Sequence, residues 1–196
     1  MTILQTIRER RSIHNFKQIN IKNEILKEIF TYGSYAPTHH MKEPWNLKIY
    51  QDDGKRAFVE AIINSYQRSG MIKNDETPQT QKTIASISQF LLDIPHHALI
   101  YFEKEDNLLR YEELYASVCA FIQNAQLAAW EYGVGMLWTI TPYMHDPEFV
   151  KEIGLDANKM KIAAVMQMGY PADIPKYKER VPIEEKIEFV SELEQQ

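Results

Sequence analysis

At 196 residues the chain is long enough to bury one hydrophobic core and short for two, so residues 1–196 read as a single domain. Apolar residues at 44% and charged residues at 25% are ordinary globular values, and a formal net charge of -5 argues against a general nucleic-acid or acidic-membrane binder, which would need a basic face. The single cysteine, Cys119, excludes an internal disulfide and a thiolate metal cluster, and no apolar run or signal-peptide pattern marks a membrane or secreted chain; a cytoplasmic protein is expected.

In chain order, residues 2–10 place Ile3, Leu4 and Ile7 on one helical face, with Thr2 and Gln5 spaced for a capping box. The basic stretch Arg10-Arg11-Ser12-Ile13-His14-Asn15-Phe16 follows without helical periodicity. A second helix is predicted over 23–35, with Ile25, Leu26, Ile29 and Phe30 inward, stopping before Pro37. Residues 36–45 form a two-proline loop, and 45–50 read as a strand closed by the turn Asp52-Asp53-Gly54. Helices are predicted near 55–68 and 79–92, separated by a polar segment expected to be mobile. The apolar second half of 96–102 predicts a central strand.

The segment 106–132 carries the strongest pattern. Leu108, Tyr111, Tyr115, Val118, Ile122, Ala125 and Ala129 recur at spacings of three and four, and Leu114, Phe121 and Ala128 widen the stripe. So broad an apolar face needs partners on more than one side, either within the domain or from a second subunit. Cys119 reads as a small buried hydrophobe within this helix. Gly133 ends it; a short strand over 134–138, a helix begun by Asp146-Pro147 and ended by Gly154, and a last strand over 161–168 complete the pattern. Beyond Gly169 the chain has four prolines and little amphipathic pattern, so this tail must wrap over a surface or stay disordered. Helices mixed with about four strands, without regular βαβ alternation, predict an α+β fold with a mainly antiparallel sheet flanked by helices.

Arg10, Arg11 and Ser12 offer two guanidinium forks and a hydroxyl, a set suited to phosphate, or else arginines that offset a helix dipole. Lys178 and Arg180 supply a second basic pair, which alone reads equally as a solvated surface run. The pairs His39-His40 and His96-His97 make a poor metal site: neighbours on a strand point to opposite faces, and neither HExxH nor a carboxylate pair at ligand spacing accompanies them. No G-x-S-x-G elbow, GxGxxG loop or Walker A loop occurs.

Taken together, four motifs resemble the nitroreductase family of FMN-dependent oxidoreductases: Arg10-Arg11-Ser12-Ile13-His14-Asn15-Phe16 after an N-terminal helix; the loop Ala36-Pro37-Thr38 to Pro44-Trp45; the long apolar helix followed by Gly133-Val134-Gly135-Met136-Leu137-Trp138; and Gly169-Tyr170-Pro171 with Lys178, Arg180 and Pro182 downstream. The resemblance spans almost the whole chain. It implies an intertwined homodimer whose long central helices pair, with two flavins held between subunits. By that likeness Arg10, Arg11, Ser12, Lys178 and Arg180 would meet the FMN phosphate and ribityl chain. Pro37, Thr38 and His39 would approach the isoalloxazine from the partner subunit, and Trp138, Thr139 and Ile140 from the first.

The implied activity is ping-pong hydride transfer from NADH or NADPH to nitroaromatic, quinone or similar flat acceptors, with the flavin carrying the chemistry and no catalytic side chain. The same motifs would also serve a flavin-binding protein without turnover, for storage or sensing, or an enzyme acting on flavin itself or in dehalogenation, with the polar insert 69–80 as a lid. Two positions depart from the family pattern. His14 stands where arginine or lysine is usual, either facing the flavin pyrimidine edge and tying reduced-flavin stability to pH or serving as a polar filler. No family-type polar residue aligns in 65–80, where Asn74 is a candidate by type alone.

Overall fold

A computed structural model describes residues 2–191. Four strands, β1 (Asn46–Tyr50), β2 (His96–Glu103), β3 (Gly135–Thr139) and β4 (Met160–Gly169), form one sheet in the order β1-β2-β4-β3, and every neighbouring pair is antiparallel. The central pair, β2 and β4, is apolar on both faces because helices cover both. Ala98, Ile100 and Phe102 of β2 face one core, while Leu99 between them faces the other. The pairing shifts between Ile100 and Tyr101, so that Ala163 on β4 is the extra residue; Ile162 beyond it packs in the second core, Ala163 and Ala164 in the first.

The first core is closed by α2 (Asn23–Gly33) and α5 (Leu108–Glu131). On α5 the buried apolar side chains are Leu114, Val118, Phe121, Ile122, Ala125 and Ala129, the inner part of the predicted stripe. The helix starts at Asn107, whose side chain accepts the Arg110 N–H at 3.1 Å, and it ends just before Gly133. The second core lies beneath α3 (Gly54–Arg68), α4 (Pro78–Leu92) and α6 (Pro147–Glu152), around Phe58, Ile62, Phe149 and Val165. Asp146 caps α6 by accepting the Glu148 N–H at 3.0 Å and takes two further bonds from Arg68 of α3, which clamps these helices together.

The structure adds one detail to the sequence reading and departs from it in three. The N-terminal helix α1 (Ile3–Glu9) has the predicted Thr2–Gln5 box, but its apolar face is outward: Ile3, Leu4 and Ile7 are 62%, 74% and 53% exposed. What docks α1 on α5 is the buried Thr6, whose hydroxyl donates to Glu131. Leu108 lies outside the buried stripe, 69% exposed, and Cys119 is only half-buried. The segment 69–78 is pinned: Ile72 is buried in the second core and its N–H bonds the Tyr66 carbonyl at 3.0 Å. Among the described residues, no helix is long and apolar enough to cross a membrane.

Candidate functional site

The segment from Arg10 to Lys17 runs extended across the ends of β3 and β4. Ser12 bridges Met136, the Ile13 N–H donates to the Met136 carbonyl at 3.1 Å, and Phe16 bridges Pro171. Two glycines make this close approach feasible. A Cβ on Gly135 would sit 2.5 Å from Ile13 Cγ1, and one on Gly169 would sit 2.9 Å from Phe16 Cδ1. The start of the tail then doubles back along the same segment: the Ala172 N–H bonds the Asn15 carbonyl at 3.0 Å, and Asn15 Nδ2 donates to Asp173 at 2.9 Å. This pairing carries residues 175–180 over the end of α1, where Arg11 lies 5.2 Å above the Tyr177 ring.

Between them lies a cleft of about 800 Å³ whose lining includes Arg10, Arg11, Ser12, His14, Lys178 and Arg180. Six of the twelve residues named as ligands from the sequence are thus brought to one place, from opposite ends of the chain. Arg8, Lys176, Tyr177 and Gln123 join them, and among the described residues no aspartate or glutamate lines the cleft. Arg10 is half-buried, and burial first, then the like charges of Arg180 and Arg11, push its guanidinium below the ordinary value. Its Nη1 is aimed by Gln126 of α5, which accepts at 3.1 Å, while its Nε is buried with no partner among the described residues. A half-buried guanidinium with a spare donor among other cations is built to receive an anion.

The sequence reading missed Gln126 and Arg8. Gln126 had a signal, since it is a buried amide interrupting the apolar stripe of α5 between Ala125 and Ala129. Arg8 lies two residues before the recognised motif, on what reads as ordinary helix surface.

The remaining six residues lie outside this cleft. Trp138 and Thr139 are half-buried at the end of β3, two and three residues beyond the Met136 that pairs with Ser12, and Ile140 beyond them is exposed. The Trp138 Nε1 is buried without a partner among the described residues, and the Thr139 hydroxyl donates to the Val165 carbonyl at 2.7 Å. Pro37, Thr38 and His39 belong to the loop after α2, with Pro37 and His39 exposed. Here His40, Met41 and Glu43 all take positive φ, held by Thr38 Oγ1 accepting the Glu43 N–H at 3.1 Å. Left-handed backbone at three non-glycine residues costs about 1–2 kcal/mol each, strain that clusters at functional loops.

The histidine pair on β2 is engaged with backbone. His96 Nε2 accepts the Ile21 N–H at 2.8 Å, and His97 Nε2 lies 2.8 Å from the Leu91 carbonyl. Burial, foremost, holds each imidazole down at about 4.

A family model described as the nitroreductase family matches residues 7–170 of this sequence. The chain belongs to the nitroreductase family. Its relatives include YfhC of Bacillus subtilis, whose name assigns it provisionally to the NAD(P)H nitroreductases. YfhC is 31% identical over 181 residues, which cover 92% of this chain and 90% of that one. A nitroreductase-like protein from Bacillus cereus superposes with a TM-score of 0.87 at 31% identity, over 98% of this chain and 97% of the other. More remotely, a nitroreductase-type protein of Desulfovibrio desulfuricans, solved in complex with FMN, shares the fold at a TM-score of 0.72 and 19% identity, each chain covered to 95%. The family segment ends at residue 170, so the nitroreductase match includes Arg10 to His14 but not Lys178 and Arg180, which reach the cleft through the tail.

Proposed function

We propose that this chain is a homodimeric oxidoreductase that binds FMN and transfers hydride from NADH or NADPH to nitroaromatic, quinone or similar flat acceptors by a ping-pong mechanism. The observation that carries the reading is the cleft itself: Arg10, Arg11, Ser12, Lys178 and Arg180 line one space, with no acid among the described lining residues. A phosphate is dianionic or nearly so at neutral pH, and paired guanidinium forks match its oxygens. The residues present fit the phosphate end of FMN, and the unpartnered Arg10 Nε marks a donor kept for it.

When bound, FMN supplies the two-electron chemistry that no side chain offers. The chain's own part is to hold and orient it. Arg10 and Arg180 would neutralise the phosphate and Ser12 would donate a hydroxyl, while His14, exposed on the same cleft, would face the flavin. Trp138, Thr139 and Ile140 would flank the ring on one side and Pro37, Thr38 and His39 of a second subunit on the other. The exposed apolar faces support such a partner: Ile3, Leu4 and Ile7 on α1, Leu108 and Leu109 on α5, and Ile183, Phe189 and Val190 in the tail.

The test is a visible spectrum of the purified protein after equilibration with FMN, followed by addition of NADH or NADPH under argon. A flavin spectrum that bleaches with a nicotinamide and recovers with menadione or a nitrofuran is expected. A bound flavin that neither nicotinamide bleaches would mean a flavin-binding protein without turnover. A protein that retains no flavin would reject the reading.

A further inference from the structure

The cleft holds more positive charge than one flavin phosphate uses. Six cationic side chains line it: Arg8, Arg10, Arg11, Lys176, Lys178 and Arg180. Among the described residues none of these pairs with a carboxylate, although elsewhere Arg68 has two acidic partners and Lys42, Arg56 and Lys151 have one each. This concentration occurs in a chain whose overall charge is -5. A phosphomonoester carries roughly -1.5 to -2 near neutral pH, which Arg10, Arg11, Lys178 and Arg180 more than balance.

Arg8 and Lys176 are therefore surplus. Both are exposed on the lining of the cleft, Arg8 in the last turn of α1 and Lys176 beside Tyr177 in the tail. The Tyr177 side chain is well exposed at 60%, and Arg11 already lies against its ring, so the cleft offers a flat surface beside two spare cations. A phosphorylated adenosine matches that combination: a base for the ring and a second phosphomonoester for the cations. NADPH and NADH differ only in such a group, the 2′-phosphate of the adenosine.

Resting on the flavin oxidoreductase reading above, we propose that Arg8 and Lys176 form a subsite for the adenosine 2′-phosphate of NADPH, with the adenine against Tyr177, so that the enzyme uses NADPH in preference to NADH. Arg8 and Lys176 are not among the groups assigned to the flavin phosphate, and so their loss should leave the flavin in place.

The experiment uses the flavin-loaded protein and two fragments, adenosine 2′,5′-bisphosphate and adenosine 5′-monophosphate, titrated by calorimetry. The bisphosphate should bind at least tenfold more tightly to the wild type. The double variant Arg8→Gln/Lys176→Gln should bring the two fragments within about threefold, with flavin content unchanged. In turnover, kcat/KM for NADPH should exceed that for NADH by about tenfold and fall to near parity in the variant, with the NADH value moving less than about threefold. Equal fragment affinities in the wild type, a loss shared equally by both coenzymes, or bisphosphate displacing the flavin would each overturn the subsite. A protein that binds no flavin yet discriminates the two fragments through Arg8 and Lys176 would reject the function proposed above and leave the subsite standing.

Discussion

Buried imidazoles and clustered guanidinium groups impose opposite demands at the scale of single residues. His97 is 1% exposed and must stay neutral; its ring nitrogen is held against the Leu91 carbonyl, and its folded titration lies near 4. An unfolded histidine titrates near 6.5, so the unfolded state binds more protons between those values. Stability is therefore complete above about pH 6.5 and declines as pH falls toward 4, by roughly 3 kcal/mol for His97 alone. Thermal melts between pH 8 and pH 5 should show this decline, and His97→Gln should flatten it while lowering the melting temperature at pH 8. An unchanged slope in that variant would mean another group governs acid sensitivity. The cleft shows the reverse arrangement: charge is kept and left unbalanced, and Arg10 is aimed rather than neutralised by Gln126.

Among elements, what determines the site is how closely the extended segment after α1 packs on β3. Gly135 faces the buried Ile13, and a Cβ there would meet side-chain carbon at 2.5 Å. Gly135→Ala should cost about 1–3 kcal/mol of stability by overpacking and should weaken FMN binding, because displacing Ile13 moves its neighbours Arg10 to Ser12. Gly54→Ala, with nothing within 4 Å, is the control and should leave both quantities unchanged. Equal effects of the two changes in melting and flavin titration would disprove the coupling.

The same scale explains what was legible in the sequence. Caps with a local mechanism, at Thr2 and Asp146, are visible in a few residues, and β2 was readable because burial on both faces removes polar alternation. The basic motif before Ile13 was legible as phosphate-suited chemistry, but its meeting with Lys178 and Arg180 depends on strand pairing distant in sequence. The outward direction of the α1 face was not legible because periodicity reveals an apolar stripe without saying what covers it. Ile72 was overlooked because a single apolar residue in a polar run has no period.

For the whole molecule, the exposed apolar surface is concentrated at α1, the start of α5 and the tail. Ile187 is 47% exposed, and Phe189 and Val190, at 84% and 71%, have little cover among the described residues, which fits a tail reaching a second copy. Sedimentation at micromolar concentration should give twice the chain mass, and Phe189→Asp/Val190→Asp should shift the population toward monomer and lower flavin retention. A wild-type monomer that keeps its flavin would remove the second subunit from the account.

The most direct measurement is FMN titration of the flavin-free protein and of Arg10→Gln, Arg180→Gln and the double variant, followed by flavin fluorescence. Each charged hydrogen bond lost from a phosphate is worth about 1.5–3 kcal/mol, so each single variant should bind FMN roughly tenfold to a hundredfold more weakly. The double variant should lose less than the product of the two, since both side chains act on one phosphate group. Wild-type affinity in both single variants would contradict the claim that the two ends of the chain close on one flavin phosphate.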